Sequence, residues 1–459
     1  MEVRKRNRQT CGWTNCHALI LGLGIYSGLW QCAYAGELGF GVGYIGGYTD
    51  NIQRAPLGPQ EDWINTILAG IAYRENGTEL AARTQAQVEY RDYTRDVYQD
   101  ETLFYLDSAA VWTIKPQRLL WTLEDRYDQV PQDATRALTP SNREAINVIN
   151  TGPDLLVYLN PVDVLVFGAR VGNTWLKQSN ADNNRYAGII RWRHQENTST
   201  NISLNFETQK IRFTDAASPP APTAQQDYLR KDLYLRLDRR QVLSRLVVDL
   251  GGTRIDPEIE ESYSKSLIRL NWAQRLSSES AFGLAFNREY MDVGGSLLST
   301  VSDPTAPESV AVAPAIPPAV ASGDIFYSQR SDIFYNRTGH YLEVHAGVYK
   351  RDINYETIPQ DRVETGGAAL VTYNITATFA ASLLGEAQRT EYQNLNRIDR
   401  DMNYGILFSY RISEGLSLNL EGRHYERDSS DALSSYVENR GLLSLLYSSR
   451  PIFVPMIRR

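Results

Sequence analysis

Residues 78–93 read TELAARTQAQVEYRDY, and taking every second one separates them into two sets. Leu80, Ala82, Thr84, Ala86, Val88 and Tyr90 form the first; Glu79, Arg83, Gln85, Gln87, Glu89 and Arg91 form the second, interrupted by Ala81. Successive side chains of a strand point to opposite faces, so the segment has one apolar wall and one charged wall. A single strand like this fits a soluble sandwich. A chain that repeats it from end to end describes a sheet with lipid on its apolar side and water on its polar side, the dyad pattern of a transmembrane β-barrel.

Outward from that stretch, the chain lays out as about twenty strands (16–20), each of roughly 9 to 16 residues. The connections fall into two classes. RENG, KPQ, NPVD, NRTG and ISEG follow even-numbered strands, whereas QVPQDATRALTPSNRE and TDAASPPAPTAQQD follow odd-numbered ones. Short periplasmic turns and long outer loops produce this asymmetry, and termini on the short-turn side require an even strand number. Trp63 and Trp175 fall at loop ends of their strands, and Trp112, Trp121, Trp192 and Trp272 at turn ends. Two aromatic girdles at the two lipid–water boundaries predict that distribution. Aromatics packed in a sandwich core would sit at strand centres instead. The expected fold is therefore all-β: a transmembrane antiparallel up-and-down β-barrel.

Residues 1–35 are expected to be a cleaved signal peptide. Arg4, Lys5, Arg6 and Arg8 form a positive start, residues 18–30 (ALILGLGIYSGLW) an apolar core, and Ala33-Tyr34-Ala35 an A-x-A cleavage site. The apolar core is shorter than the roughly 20 residues a spanning helix needs. A lipoprotein reading of Cys32 meets Gln31 where a small residue is wanted. Cys11, Cys16 and Cys32 all lie in the leader, so the mature chain offers no disulfide, thiolate metal site or cysteine nucleophile. Without the leader's four basic residues and one acid, the formal charge moves from −7 to −10, which argues against nucleic acid as a partner. The mean hydropathy of −0.39 carries little information, because polar lumen and loop residues average out the apolar face. The 28 tyrosines against 12 phenylalanines do point to membrane interfaces, where amphipathic rings collect.

The barrel is expected over residues 36–447. Residues 292–324, containing SVAVAPAIPPAVASG, interrupt the pattern, because proline removes ladder donors. A long, disordered Pro/Ala-rich outer loop is expected there; the sharper alternative is an apolar segment that folds inward and constricts the pore. The chain continues past the last strand as SSRPIFVPMIRR, residues 448–459.

Catalytic chemistry has little support. His194 is expected in a short turn, and His340 and His345, five apart, are expected on opposite faces of one strand, where they cannot converge on a metal. His424 shares a face with Leu416, Leu418 and Leu420, the one hint of a barrel lipase; an interface histidine is the simpler account. Glu124-Asp125 alternates faces, and Glu258-Ile259-Glu260 lies in a loop. Asp50-Asn51 and Asp182-Asn183-Asn184 carry oxygen ligands without the ordered acidic spacing of a calcium site and are read as loop turns. Nucleotide, serine-hydrolase and zinc motifs are missing. No cofactor, no metal site and no enzymatic activity are expected. The residues singled out as lumen-facing candidates for solute binding are Arg83, Gln85, Gln87, Glu89, Glu124, Arg126, Arg191, Arg193, Asn205, Glu207, Arg269 and Asn271. Both charge signs are present, so the wall is mixed and polar rather than a single-sign selectivity ring. About twenty strands imply a wide lumen unless loops close it.

One stretch, SNREAINVINTGPDLLVYLN at residues 141–160, carries Asn142-Arg143, Asn147-Val148 and Thr151-Gly152-Pro153-Asp154. It resembles the outer-membrane β-barrel proteins encoded with exosortase/PEP-CTERM exopolysaccharide loci, which are similar to the putative β-barrel porin 2 group. GYTDNI at residues 47–52 resembles that group's first strand end, and VENRGLLSLLY at residues 437–447 its final strand. The resemblance covers the mature chain and supplies no catalytic residues. It implies a bacterial outer-membrane pore or scaffold in exopolysaccharide export, with outer-membrane lipid, exopolysaccharide and periplasmic export components as partners. The chain departs from the group in continuing past its terminal aromatic. A general solute porin is the closest alternative reading, followed by a barrel enzyme acting on lipid and a soluble all-β glycan-binding protein.

Overall fold

The computed structural model describes residues 36–214, 226–301, 319–450 and 453; the expected leader lies outside the described residues. Twenty strands form one antiparallel sheet that closes on itself. In chain order they begin β1 (Glu37–Thr49), β2 (Asp62–Asn76), β3 (Leu80–Tyr93), β4 (Glu101–Lys115) and β5 (Leu119–Pro131). They continue β6 (Arg143–Tyr158), β7 (Asp163–Leu176), β8 (Asn183–Asn197), β9 (Thr200–Phe213) and β10 (Tyr228–Arg240). Next come β11 (Ser244–Pro257), β12 (Tyr263–Arg275), β13 (Ser280–Met291), β14 (Phe326–Thr338) and β15 (Leu342–Tyr355). The last are β16 (Arg362–Asn374), β17 (Phe379–Tyr392), β18 (Arg397–Arg411), β19 (Leu416–Ser429) and β20 (Tyr436–Ser448). Each strand pairs with its chain neighbours, and β1 pairs with β20 from Gly41↔Ser448 to Thr49↔Arg440. Closure removes the open sheet edge over the spanning part of the barrel, so backbone donors and acceptors there are satisfied without water.

The two walls of the opening stretch fall where alternation puts them. On β3, Val88 and Tyr90 are exposed outward, while Gln87 and Glu89 are buried on the inner face. β1 shows the same phase: Leu38, Phe40, Val42 and Tyr44 are exposed on the outside. Five tryptophans, Trp63, Trp112, Trp121, Trp175 and Trp192, stand exposed on the outer face near strand ends. Even-numbered strands are followed by turns of two to four residues, such as 77–79 and 198–199; the longest odd-strand connection is 292–325. The short-turn end is therefore periplasmic. Among the described residues no helix is long and apolar enough to cross a membrane; the strands cross it. The chain is an outer-membrane β-barrel, on the evidence of its own closed sheet, apolar exterior and turn asymmetry.

Strand ends run further than the sequence pattern suggests, and this corrects the placement of His194. It lies within β8, because the β8–β9 hairpin tightens to a two-residue turn with a bulge between Gln195 and Asn197. Its Nδ1 is 2.9 Å from Asp163 Oδ1 at the foot of β7. His340 belongs to the turn at 339–341, not to the strand that holds His345.

One seam is irregular. β12 pairs with β13 only from Ile268↔Arg288 to Arg275↔Ala281, leaving residues 263–267 without a partner on that side. Above that point β13 and β14 turn into the barrel. Tyr290 and Tyr327, ring centroids 5.0 Å apart, join the inward-facing Ile211, Phe213, Tyr228 and Ile255 in a buried cluster. The Tyr327 hydroxyl donates to the Ser266 carbonyl at 3.1 Å, satisfying part of the unpaired edge.

Candidate functional site: the lumen and its two closures

Inner-face residues form an ion-paired lining rather than a row of free charges. A recurrent element is an arginine and a carboxylate two residues apart on one strand, which the period of two places side by side on one face. Arg91–Glu89 (2.6 Å), Arg330–Asp332 (2.7 Å), Arg362–Glu364 (2.7 Å) and Arg397–Asp399 (2.6 Å) repeat it. Cross-strand pairs link these rungs: Arg269 meets Glu289 at 2.5 Å, and Arg236 meets Asp249 at 2.6 Å.

All twelve candidate residues sit on this inner face, spread over β3, β5, β8, β9 and β12. They do not converge on one point. Gln87 donates to Glu89, which pairs with Arg91. Glu124 accepts from Asn150 at 3.2 Å, and Arg126 holds Asp107 and Asp128. Arg83 and Gln85 are also partnered. Besides Gln87 and Glu89, Arg191, Asn205 and Glu207 come together: Arg191 Nε donates to Asn205 Oδ1 at 2.5 Å and Arg191 lies 3.9 Å from Glu207, which accepts from the Tyr234 hydroxyl at 2.6 Å. Arg269 belongs to the ion-pair network, and Arg193 and Asn271 line the wall beside these groups. Much of the donor capacity is thus used in holding the wall.

In the extracellular half, the two described ends of the segment expected as an outer loop occupy the lumen. A short helix, α1 (Val293–Leu298), follows β13 and lies inside the barrel. Val293 and Leu297 pack with Ala319 and Val320 against Val130, Ile146, Val148 and Ile353. The two described ends of the connection are therefore ordered and inward, and residues 302–318 lie outside the described residues. The physical reason is complementary surface: the inner face near the top of β5, β6 and β15 is apolar and needs an apolar cover.

Asp292 anchors this strap. Its carboxylate meets Arg185 on β8 at 2.5 Å and the Tyr228 hydroxyl on β10 at 2.9 Å, and caps α1 by accepting from Gly295 N at 2.7 Å. Burial alone would push this carboxyl up; Arg185, with the Gly295 and Tyr228 donors, holds it below the usual carboxylate range. At the far end of the strap, burial raises the Asp324 carboxyl, against donation from the Ile358, Thr357 and Ile325 amides.

A second segment crosses the mouth. Residues 132–142, between β5 and β6, reach the opposite wall, where the Tyr392 hydroxyl donates to Ala134 O at 2.7 Å and Arg397 to Thr135 O at 2.8 Å. The buried Asn142 braces this loop by donating to Asp133 O at 2.9 Å.

At the periplasmic end, Phe453 from the C-terminal extension enters the lumen and is 2% exposed. It rests on Gly41 and Gly70, a cross-strand pair on the inner face, where a Cβ at either position would collide with the ring. Phe453→Ala should free the tail, at a cost of about 3 kcal/mol in local docking, read as faster proteolysis of the C-terminus from the periplasmic side. Gly41→Leu should reproduce this with the tail sequence intact.

Among the described residues the histidines form no reactive set. His345 faces the lumen and contacts Asn336 Oδ1 at 2.9 Å. His424 faces outward among Asn439, Glu426 and Tyr404, with no serine in that set. Asp50 and Asp182 are occupied by backbone amides of Asn439 and Leu176, and the described residues contain no metal-binding cluster.

Sequence reading missed the Arg185–Asp292–Tyr228 anchor, whose members are widely separated in the chain, and the arginine–carboxylate rungs, whose spacing of two, R-x-D/E or E-x-R, was available as a signal. It also singled out residues whose structural roles are now visible. Thr151 accepts from Trp121 Nε1 at 2.8 Å, Asp154 pairs with Arg170 at 2.7 Å, and Gly152 leaves room for the Ala169 carbonyl.

No family model matches the sequence, and no curated protein does. Among solved structures, the chain is similar to the siderophore receptor PirA from Pseudomonas aeruginosa, with 10% identity and a TM-score of 0.44, covering 90% of this chain and 80% of that one. It is similar to the FrpB iron transporter from Neisseria meningitidis (F3-3 variant), with 10% identity and a TM-score of 0.43, covering 92% and 82%. It is also similar to OccK2 (OpdF) of Pseudomonas aeruginosa in complex with glucuronate, with 9% identity and a TM-score of 0.37, covering 90% and 98%. Likeness at this level carries no argument about solute or partner.

Proposed function

We propose that this protein is a gated conduit for polar, hydroxyl-rich solutes across the bacterial outer membrane. The single observation that carries the reading is the Asp292-anchored strap inside a closed, ion-paired barrel. An inert scaffold has no need of an apolar segment held in its lumen by a buried charge pair, whereas a conduit must be shut when idle. The wall's arginines, carboxylates and amides offer the alternating donors and acceptors that sugar hydroxyls match. The resemblance to exosortase-linked barrels supports exopolysaccharide as the transported class and export as the direction.

Two measurements made together test this. In planar bilayers the purified barrel should be mostly closed, and a strain lacking it should lose surface polysaccharide while keeping small-solute uptake. Steady conductance together with unchanged polysaccharide would replace the reading with that of a general solute porin.

A further inference from the structure

The outer face of β15–β18 carries a groove that the conduit reading does not use. Two adjoining hollows of about 650 and 660 Å³ open there toward lipid. Their floor is Gly367 and Ala369 on β16 with Gly385 and Ala387 on β17, and their walls include Val348 and Met402. Register sets these residues in rows: Val348↔Gly367↔Ala387↔Met402 is one, and Ala369↔Gly385 lies in the next row toward the periplasm. Small residues flanked by bulky ones make a channel rather than a flat belt. Hydrocarbon must fill it, because this face lies in the membrane.

The row just above, on the extracellular side, is Lys350↔Thr365↔Arg389↔Arg400. Three cations therefore stand in one cross-strand line at the upper mouth of the hollow. Arg389 and Arg400 are directly opposed, and like charges so placed are unfavourable; the row continues from Arg400 to Asp428 on β19. Arg389 pairs with Glu391, and Arg400 with Asp428 at 3.1 Å; Lys350 makes no ion pair among the described residues. Each guanidinium has five donors, more than its one carboxylate partner takes up. Tyr373 and Tyr410, exposed at the opposite ends of β16 and β18, mark the periplasmic boundary. Arg400 is ten residues from Tyr410, which puts the cation row at the outer-leaflet headgroup level of an apolar band roughly 25 Å tall.

We propose that this groove holds one phosphorylated, acylated lipid of the outer leaflet, with an acyl chain over Gly367, Ala387 and Gly385 and a phosphate at Lys350, Arg389 and Arg400. An apolar hollow ending in cations at headgroup height matches the two halves of such a molecule, and charge selects it over zwitterionic lipid. The site is independent of the conduit reading.

The test uses the full mature barrel in nanodiscs, offered a multiply acylated phosphoglycolipid or its dephosphorylated form, with retention through detergent exchange read by native mass spectrometry. The wild type should retain one phosphorylated lipid per barrel and hold the dephosphorylated form roughly tenfold less well. Lys350→Gln/Arg389→Gln/Arg400→Gln should abolish the preference. Gly385→Leu, at a position where a Cβ meets nothing within 4 Å, should reduce retention of both lipids without straining the strand. Heat-modifiable gel mobility verifies folding of each variant. Equal retention of the two lipids by the wild type would overturn the proposal. So would variants that bind as the wild type does, or variants that instead break up a dimer, which would make the groove a subunit contact.

Discussion

Excising residues 293–320 and joining the ends with a short Gly-Ser linker should turn a mostly silent barrel into a steadily open one, with single-channel conductance rising roughly threefold or more. Val293, Leu297, Ala319 and Val320 are buried against the inner wall, so they occupy volume that water would otherwise fill. The excision touches no strand pair and leaves Asp292 beside Arg185, so the barrel should keep its heat-modifiable mobility. Unchanged conductance would mean that the strap is not the obstruction, and the gated reading would fall with it.

Asp292→Asn should undock the same strap by a different route. The change keeps the shape of the side chain but leaves Arg185, only 3% exposed, without its counter-charge; Thr174 Oγ1 at 2.9 Å is a neutral partner. Stranding a buried charge costs about 3–5 kcal/mol, enough to release a short docked segment. Protease cleavage within 293–320 and intermittent opening in bilayers should report it. Arg185→Met combined with Asp292→Leu should dock again, since an apolar pair removes the unpaired charge; continued opening in that double variant would show that the hydrogen bonds to Tyr228 and Gly295, not charge burial, hold the strap. The folded-state pKa of Asp292 lies below 3.8, so its contribution is fully present above that value and is lost as pH falls through the folded one. Asp324 has the opposite sign: burial raises its carboxyl, so acidification does not cost stability at that end. Closure should therefore persist, and not relax, as pH is lowered from about 7 to 5.

Much of the architecture was legible because a lipid-facing strand has a period of two that nothing else in the chain imitates. Residues 78–93 show it, and the outer positions Val88 and Tyr90 with the inner Gln87 and Glu89 fall where it predicts. Turn length was legible for the same local reason, since a short turn is a property of a few adjacent residues. His194 was misplaced because a bulge and a two-residue hairpin extend the strand beyond what hydropathy marks. The candidate lumen residues lie on the inner face, yet the sequence has no means of showing that many of them are consumed in bonds to other wall residues, such as Glu124 to Asn150, Arg126 to Asp107 and Arg269 to Glu289.

By itself, the sequence determined an even-stranded antiparallel barrel, its orientation by turn length, and which side chains face lipid. Those properties follow from alternation within single strands and from residues next to each other in the chain. Tertiary structure alone decided that GYTDNI and VENRG meet, with Asp50 accepting from Asn439 and Asn51 donating to Val437 O across the closing seam. It alone decided that the two described ends of the β13–β14 connection, with Val293, Leu297, Ala319 and Val320, turn inward, that Phe453 finds a glycine pair, and that three cations line up over a groove. Each of these joins residues from different strands, and which ones meet depends on register and barrel closure, quantities set by the whole ring of hydrogen bonds rather than by any stretch of it.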